Sequence, residues 1–164
     1  ISKYGTPLLI TDLDIVKTQY ISLSTALPKV KLYYALKPNA NIEIIKVLNS
    51  LNSCFDVATT GEINIVKKLL ISPEKIIHTH PIKTDRSIKD AINYGITQFV
   101  VDNENEILKF KKYKKKVKLS LRLAFSSKDC SIDLSKKFGA NPNDAIKLIG
   151  EINHKVIYSF ILEL

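Results

Sequence analysis

The chain has 164 residues, of which 45% are hydrophobic, and a formal net charge of +9. This length suits one domain with a sizeable core, and this composition indicates a globular chain. No apolar run is long enough to span a membrane, so we expect no membrane partner. The many lysines are accompanied by only two arginines, and arginine is the residue expected to read phosphates and base edges. We therefore expect no nucleic-acid partner either.

Cysteine and histidine are the residue types that bind zinc most often in proteins. Cys54 and Cys130 are far apart and have no CxxC or histidine spacing, which predicts reduced thiols, a cytoplasmic location and no metal site. His78 and His80 lie at i and i+2 near the end of a predicted strand, which places both on one face, but no third ligand is evident. We interpret both as residues of a barrel mouth.

Strand-like and helix-like segments alternate along the chain. Short apolar runs predict strands at 8–11, 31–36, 54–58, 76–79, 99–101, 117–123 and 156–160. Periodicity and capping residues predict helices at 12–26, 41–51, 61–70, 85–94, 104–113 and 143–152, with Gly95 ending the fourth. Alternation of this kind indicates a parallel sheet, in an α/β barrel or a doubly wound fold. Only six of these strands follow residue 30, whereas a closed barrel needs eight, so we expect an incomplete barrel.

The apolar and aromatic run at 32–36 ends on Lys37. A lysine at the carboxyl end of a barrel strand faces the mouth, where such enzymes carry out their chemistry. In apolar surroundings its amine loses its charge more easily and can act as a Schiff-base nucleophile. The alternative is a surface lysine that happens to end a strand.

Further polar residues are predicted at the same rim. Asp56 lies in the strand that follows, and Glu62 lies in the first turn of the helix after that strand. Both carboxylates are therefore expected near Lys37. Arg122 ends a later strand, and a polar loop leads from it to the run K-K-F-G-A at 136–140.

In this order and spacing, the blocks resemble the pyridoxal-phosphate-dependent decarboxylases of ornithine, lysine, arginine and diaminopimelate. The family motif Y-A-x-K-x-N is matched at 34–39, and F-D-x-A-S-x-x-E-I is matched at 55–63, with Thr59 in place of the serine. The motif L-R-I is matched at 121–123, with leucine in third place, and K-F-G-A is matched at 137–140. Each block alone is weak, but four in register along nearly the whole chain are a strong resemblance.

The resemblance implies a pyridoxal-phosphate-binding (β/α)8 barrel of the alanine-racemase type, with pyridoxal 5′-phosphate as its cofactor. It implies that Lys37 is the Schiff-base lysine, that Asp56 and Glu62 support the lysine and the imine region, and that Arg122 lies near the cofactor phosphate. Lys137 is implied to reach the interface of a homodimer. The alternatives are a strand-end cap for Asp56, a helix-dipole partner for Glu62 and a solvated lysine for Lys137.

The implied activity is loss of the α-carboxylate from a basic amino acid, and the block at 55–63 favours L-ornithine, with putrescine as the product. We interpret residues 1–164 as the amino-terminal barrel domain of a cytoplasmic enzyme, without the β-sandwich domain that follows in the family. Two other classes stay open: an inactive remnant or regulatory binding module of the same fold, and a single-domain pyridoxal-phosphate carrier protein. Where the family continues with a histidine after Ser159-Phe160, this chain continues with Ile161–Leu164, which indicates a frame change, a split gene or a decayed copy. Residues 1–164 alone are expected to show no decarboxylation.

Overall fold

Five strands alternate with six helices over the residues that the computed structural model describes, which are 2–113, 117–125 and 137–152. The strands are β1 (Tyr33–Ala35), β2 (Cys54–Val57), β3 (Ile76–His78), β4 (Gln98–Val101) and β5 (Lys118–Leu121). The helices are α1 (Leu13–Ala26), α2 (Ile42–Ser50), α3 (Thr60–Lys68), α4 (Asp85–Tyr94), α5 (Glu104–Phe110) and α6 (Ala145–Ile152). Helices α1 to α5 each follow a capping residue whose side-chain oxygen accepts hydrogen bonds from the first turn: Asp12, Asn41, Thr59, Thr84 and Asn103.

The strands are ordered as in a barrel. Each pairs in parallel with the next strand along the chain, in the order β1-β2-β3-β4-β5. A doubly wound sheet reverses its strand order at a switch point, so the observed order decides between the two predicted architectures in favour of a barrel segment. The carboxyl ends of all five strands lie at one edge. This edge, together with the loops that leave it, is called the mouth below.

The two faces of the sheet carry different residues, because side chains alternate along a strand. One face packs against the helices and forms the core, with fully buried side chains that include Phe55, Val57, Ile76, Phe99 and Val101. The other face is lined by the residues between them. On it the Tyr33 hydroxyl lies 3.5 Å from Gln98 Oε1, although β1 and β4 are three strand spacings of about 4.8 Å apart. The sheet is therefore curved as in a barrel.

The predicted elements from residue 12 to residue 152 are found, with ends that differ by a few residues. The strand predicted at 8–11 is wrong: Leu9 and Ile10 lie in no strand and are 94% and 83% exposed. An apolar run forms a strand only where a neighbouring strand pairs with it, and none of the described strands does so here. The strand predicted at 156–160 lies outside the described residues. Among the described helices, none combines the length and the hydropathy that a membrane crossing requires.

Within the described ranges, three helices end on a residue with positive φ. Asn52 follows α2 with φ of 65°, Leu70 follows α3 with φ of 54°, and Gly95 ends α4 with φ of 105°. After α3, the Leu70 amide donates to the Lys67 carbonyl at 3.1 Å, and the next amide donates to the Val66 carbonyl at 3.0 Å. This is the Schellman arrangement, in which glycine is the usual residue. Leu70 is 85% exposed, so no packing compensates for its strained backbone.

Leu70→Gly is expected to raise the free energy of unfolding by about 0.5–1 kcal/mol, because glycine adopts positive φ without a Cβ clash. Chemical denaturation measures the change. Asn52→Gly, at the equivalent position after α2, is the matched control and should change stability less, because asparagine already tolerates this conformation. A Leu70→Gly protein no more stable than the wild type would show that the backbone is not strained there.

His78 is a core residue that faces α4. It is fully buried, its Nε2 lies 3.2 Å from Ser87 Oγ, and its ring centroid is 5.9 Å from that of Phe99. Its Nδ1 has no hydrogen-bond partner within the described part of the chain. Burial, followed by the positive charge of Lys83 and the neighbouring His80, lowers the pKa of His78 to about 3. The interpretation of His78 as a mouth residue is therefore wrong, because the strand's alternation turns it towards the helices.

Stability is expected to fall as the pH is lowered from about 6.5 towards 3. The unfolded chain protonates His78 near pH 6.5, whereas burial keeps the folded form neutral down to a pKa of about 3. The unfolded state thus binds one more proton in this window. The free energy of unfolding therefore falls by up to about 1.4 kcal/mol for each unit by which the pH is lowered. Denaturation between about pH 4 and 7 should give a shallower slope for His78→Leu than for the wild type.

His80→Asn, which keeps His78, is the control for that measurement and should keep the wild-type slope. An unchanged slope in His78→Leu would mean that other groups carry the acid dependence.

Candidate active site at the barrel mouth

Lys37 lies where β1 gives way to a turn at the mouth. The strand ends at Ala35, residues 36–38 form a turn, and the Lys37 side chain is exposed. The Leu36 amide donates to the Asp56 carbonyl at 3.0 Å, so pairing with β2 continues to the base of this turn. Lys37 therefore stands at the carboxyl end of a parallel strand, as its sequence context predicts.

Asp56 lies on the face of the sheet that points away from the helices. Its Oδ1 accepts a hydrogen bond of 2.7 Å from Thr79 Oγ1, in the loop that leaves β3. The register pairs Asp56 with Ala35, two residues before Lys37. The half-buried carboxylate is thus held by a neighbouring strand end, close along the sheet to the start of the Lys37 turn.

Glu62 uses its carboxylate at the start of α3. Its Oε2 accepts a hydrogen bond of 2.6 Å from the Ala58 amide, and its own amide donates to Thr59 Oγ1 at 3.2 Å. This reciprocal arrangement is similar to a capping box, and a negative charge in the first helical turn is also favoured by the helix dipole. Glu62 therefore fixes the loop that leads from β2 into α3, whatever further contact it makes with a ligand.

Phe138, of the K-F-G-A block, contacts one aromatic ring and two cations beside the mouth. The Arg122 guanidinium and the Lys137 ammonium each lie 5.4 Å from the centroid of its ring. His80 meets the same ring edge-on, with centroids 5.9 Å apart. The structure thus brings Arg122 and Lys137 together around a phenylalanine for which the sequence predicted no separate role.

Asp102 ties the same segment to the end of β4. Its Oδ2 accepts a hydrogen bond of 3.1 Å from the Gly139 amide. A parallel bridge joins Leu123 to Ala140, and the Ala140 amide donates to the Arg122 carbonyl at 2.9 Å. Sequence reasoning missed Asp102, although a carboxylate directly after an apolar strand was a usable signal.

The mouth therefore presents an exposed amine, a half-buried carboxylate and a guanidinium at the ends of three parallel strands: Lys37, Asp56 and Arg122. An amine forms a covalent bond with an aldehyde, and a guanidinium pairs with a phosphate through two parallel hydrogen bonds. Fold and site together define a class: a barrel protein whose mouth suits an aldehyde cofactor that carries a phosphate.

Comparison with known proteins identifies the family. Residues 13–156 match the family described as pyridoxal-dependent decarboxylase, pyridoxal binding domain. The chain belongs to this family, which confirms the resemblance, and pyridoxal 5′-phosphate is the cofactor of this domain.

The relatives of this chain include decarboxylases and a protein named as an antizyme inhibitor. The chain is 34% identical over 144 residues to the lysine/ornithine decarboxylase of Selenomonas ruminantium, covering 88% of this chain and 37% of that protein. It is 35% identical over 131 residues to antizyme inhibitor 2 of Xenopus laevis, covering 80% of this chain and 29% of that protein. The lysine/ornithine decarboxylase of Vibrio vulnificus, solved with cadaverine and with putrescine, superimposes with a TM-score of 0.86 at 42% identity, over 97% of this chain and 42% of that one. The chain thus spans less than half the length of each.

Gly139 is the position in the mouth that leaves no room for a side chain. Its φ is 103°, and a Cβ there would lie 2.7 Å from the Ala124 amide nitrogen and 2.9 Å from the Leu123 carbonyl carbon. Both neighbours are backbone atoms of the segment that continues β5, so neither can rotate away.

Gly139→Ala is expected to lower the free energy of unfolding by roughly 1–3 kcal/mol and to speed amide exchange at 138–140. Gly150→Ala in α6 is the matched control: a Cβ there meets nothing within 4 Å, and alanine is favoured in a helix by about 1 kcal/mol. Thermal unfolding and hydrogen exchange measure both variants. A Gly139→Ala protein as stable as the wild type would mean that the segment relaxes freely.

Proposed function

We propose that the mouth of this barrel binds pyridoxal 5′-phosphate covalently through Lys37, and that the protein decarboxylates a basic amino acid. The observation that carries the proposal is the exposed Lys37 amine at the end of β1, at the same edge as Asp56 and Arg122. Asp56 belongs to the strand that pairs with β1, and Arg122 follows β5 at the same edge of the sheet.

The side chains present fit this cofactor. The Lys37 amine is accessible for bonding to an aldehyde carbon, and the Arg122 guanidinium is a planar fork suited to a phosphate. The Phe138 ring lies beside that guanidinium, with its centroid 5.4 Å from the guanidinium carbon. When bound, pyridoxal 5′-phosphate supplies the electron sink for loss of the substrate carboxylate.

The roles of the protein groups follow from their positions. Lys37 Nζ holds the cofactor and, in the whole enzyme, returns a proton to the substrate carbon that has lost its carboxylate. The Asp56 carboxylate, held by Thr79, supports a positive charge near that amine. Glu62 holds the loop before α3, so the amino end of that helix keeps its place at the mouth.

For the substrate, we propose L-ornithine, with putrescine as the product. The support is the block at 55–63 and the relatives named for ornithine and lysine, one of which is solved with putrescine and with cadaverine. We further propose a homodimer with the exposed Lys137 at its interface, and a cytoplasmic location. The domain assignment of residues 1–164 as the amino-terminal barrel portion belongs to the same proposal.

A second candidate function is a regulatory binding module. The observation that favours it is the 35% identity to a protein named antizyme inhibitor 2. The two functions differ in what Lys37 must do: an enzyme needs its amine, whereas a binding module does not.

The test is whether Lys37 takes up the cofactor. On incubation with pyridoxal 5′-phosphate followed by borohydride, peptide mass spectrometry is expected to find the reduced adduct chiefly on Lys37. Lys37→Arg should abolish that adduct, because the guanidinium of arginine is not a nucleophile at neutral pH. Turnover of ornithine, lysine and arginine by the whole protein then ranks the substrates.

Lys46→Arg is the control, since Lys46 is an exposed lysine that pairs with Glu43 at 2.8 Å on α2. It should leave the adduct unchanged. Labelling spread evenly over exposed lysines would reject the assignment of Lys37, and whole protein that binds cofactor without turnover would favour the binding module.

A further inference from the structure

Lys83 is a buried lysine in the loop between β3 and α4. Its side chain is 0% exposed, and its Nζ donates to three backbone carbonyls: His80 at 2.8 Å, Pro81 at 3.2 Å and Val100 at 2.6 Å. Glu106 Oε2 lies 3.4 Å from the same nitrogen, and it also accepts from the Lys83 amide at 3.2 Å. One ammonium group therefore contacts the loop after β3, the end of β4 and helix α5.

This contact occurs where regular strand pairing stops. The ladder between β3 and β4 ends at the pair His78–Phe99, whereas β4 and β5 stay paired to Val101–Leu121. Beyond that point, the Val100 carbonyl accepts from the Lys83 ammonium. The side chain thus joins the end of β4 to the loop that leaves β3 in place of a further pair of backbone hydrogen bonds.

The loop held in this way reaches the candidate site. His80, whose carbonyl accepts from Lys83, packs edge-on against Phe138. Its Nδ1 also accepts a hydrogen bond of 3.1 Å from the Ile82 amide, which fixes the ring relative to the loop. Phe138 in turn lies against the Arg122 guanidinium.

Burying an ammonium group in a protein core is energetically unfavourable. Removing an ion from water costs several kcal/mol, and well-packed apolar residues often replace a buried ion pair without loss of stability. Lys83 offsets this cost with four acceptors, three of them carbonyls of two chain segments that must be kept in register. An apolar side chain of the same length donates no hydrogen bonds, so it cannot hold these two segments in register.

We propose that Lys83 is a positioning residue of the mouth. Its ammonium group holds the His80 loop in place, and the contact of that loop with Phe138 sets the position of the Arg122 guanidinium. The inference concerns the shape of the mouth, and it rests on the proposed function only where cofactor affinity is used as a readout.

The charge of the Lys83 amine, and with it the hold on the His80 loop, is expected to depend on pH. Burial lowers the pKa of Lys83 to about 8, although Glu106 opposes this. The other charged or titratable groups that act on Lys83 are Lys109 of α5 and Asp102 after β4, with His78 of β3 on the remaining side. Deprotonation removes one of the ammonium's donors, so the His80 loop should loosen as the pH rises through about 8.

The experiment compares Lys83→Met with two further variants in the cofactor-free protein. Lys83→Met/Glu106→Gln also removes the negative charge that Lys83 balances. Lys109→Met is the matched control, because Lys109 pairs with the other oxygen of Glu106 and donates to the Lys83 carbonyl at 2.7 Å, whereas the His80 carbonyl accepts from Lys83. The readouts are the nuclear Overhauser effect between the rings of His80 and Phe138 and the amide exchange of residues 79–84, with α3 as an internal reference.

Lys83→Met is expected to lose the ring-to-ring signal and to speed exchange at 79–84 on the order of tenfold, because hydrogen bonds from a charged group are lost. The double variant should behave in the same way, and Lys109→Met should keep the ring-to-ring signal of the wild type. Recovery of the signal in the double variant would overturn the proposal, since it would show that Lys83 only neutralises Glu106. An intact signal in Lys83→Met would overturn it as well.

Two further measurements complete the test. If Lys83→Met does not fold, the wild-type protein decides: a weakening of the ring-to-ring signal between about pH 7 and 9 supports the proposal, and a constant signal rejects it.

Where the cofactor-free results support the proposal, affinity for pyridoxal 5′-phosphate is measured next. Loss of affinity in Lys83→Met extends the role to the cofactor site, whereas a wild-type protein that binds none rejects the proposed function and leaves the positioning role of Lys83 standing.

Discussion

Parallel pairing of consecutive strands is the constraint on which the site depends. Because all five strands run the same way, their carboxyl ends meet at one edge, and alternation sends every second side chain away from the helices. Lys37, Asp56 and Arg122 come from strands separated by up to about 85 residues of chain, yet this arrangement delivers them to one rim. The chemistry of the mouth is thus a consequence of the sheet's geometry.

The mouth is held together by polar contacts, whereas the core below it is held by packing. Between the sheet and the helices, fully buried aliphatic and aromatic side chains supply the apolar burial that drives folding. At the strand ends, regular pairing stops, and side chains form the hydrogen bonds instead. Thr79 donates to the Asp56 carboxylate, Asp102 accepts from the Gly139 amide, and Lys83 donates to the Val100 carbonyl. Buried polar groups of this kind stabilise only when they are satisfied, so they specify one geometry more than they add stability.

Residues at the ends of the helices also help to fix the loops around the site. Threonine and asparagine side chains cap the helices that leave the mouth, and Glu62 adds a second contact at the start of α3. At the opposite ends, α2, α3 and α4 finish on residues with positive φ, of which Leu70 is the one least suited to that conformation. The loops around the site are therefore positioned by their own helices as well as by the sheet.

Much of this arrangement was predictable from the sequence, because it depends on residues close together in the chain. The alternation of elements, the lysine at the end of β1, the capping threonine before α3 and the glycine at the end of α4 are all local patterns. The family resemblance rested on four such blocks. The sequence by itself therefore determined an α/β chain with Lys37 at a strand end.

Only the tertiary structure decided the remaining features, because they depend on which distant segments meet. The choice between a barrel and a doubly wound sheet required the strand order, and the apolar run at 8–11 failed as a strand because no described strand pairs with it. His78 and His80, two residues apart, separate because the first belongs to a strand that packs on α4 and the second to a loop that meets Phe138. The burial of a lysine beside Val100 has no local signature, since a side chain is buried by chain segments that its own neighbours do not encode.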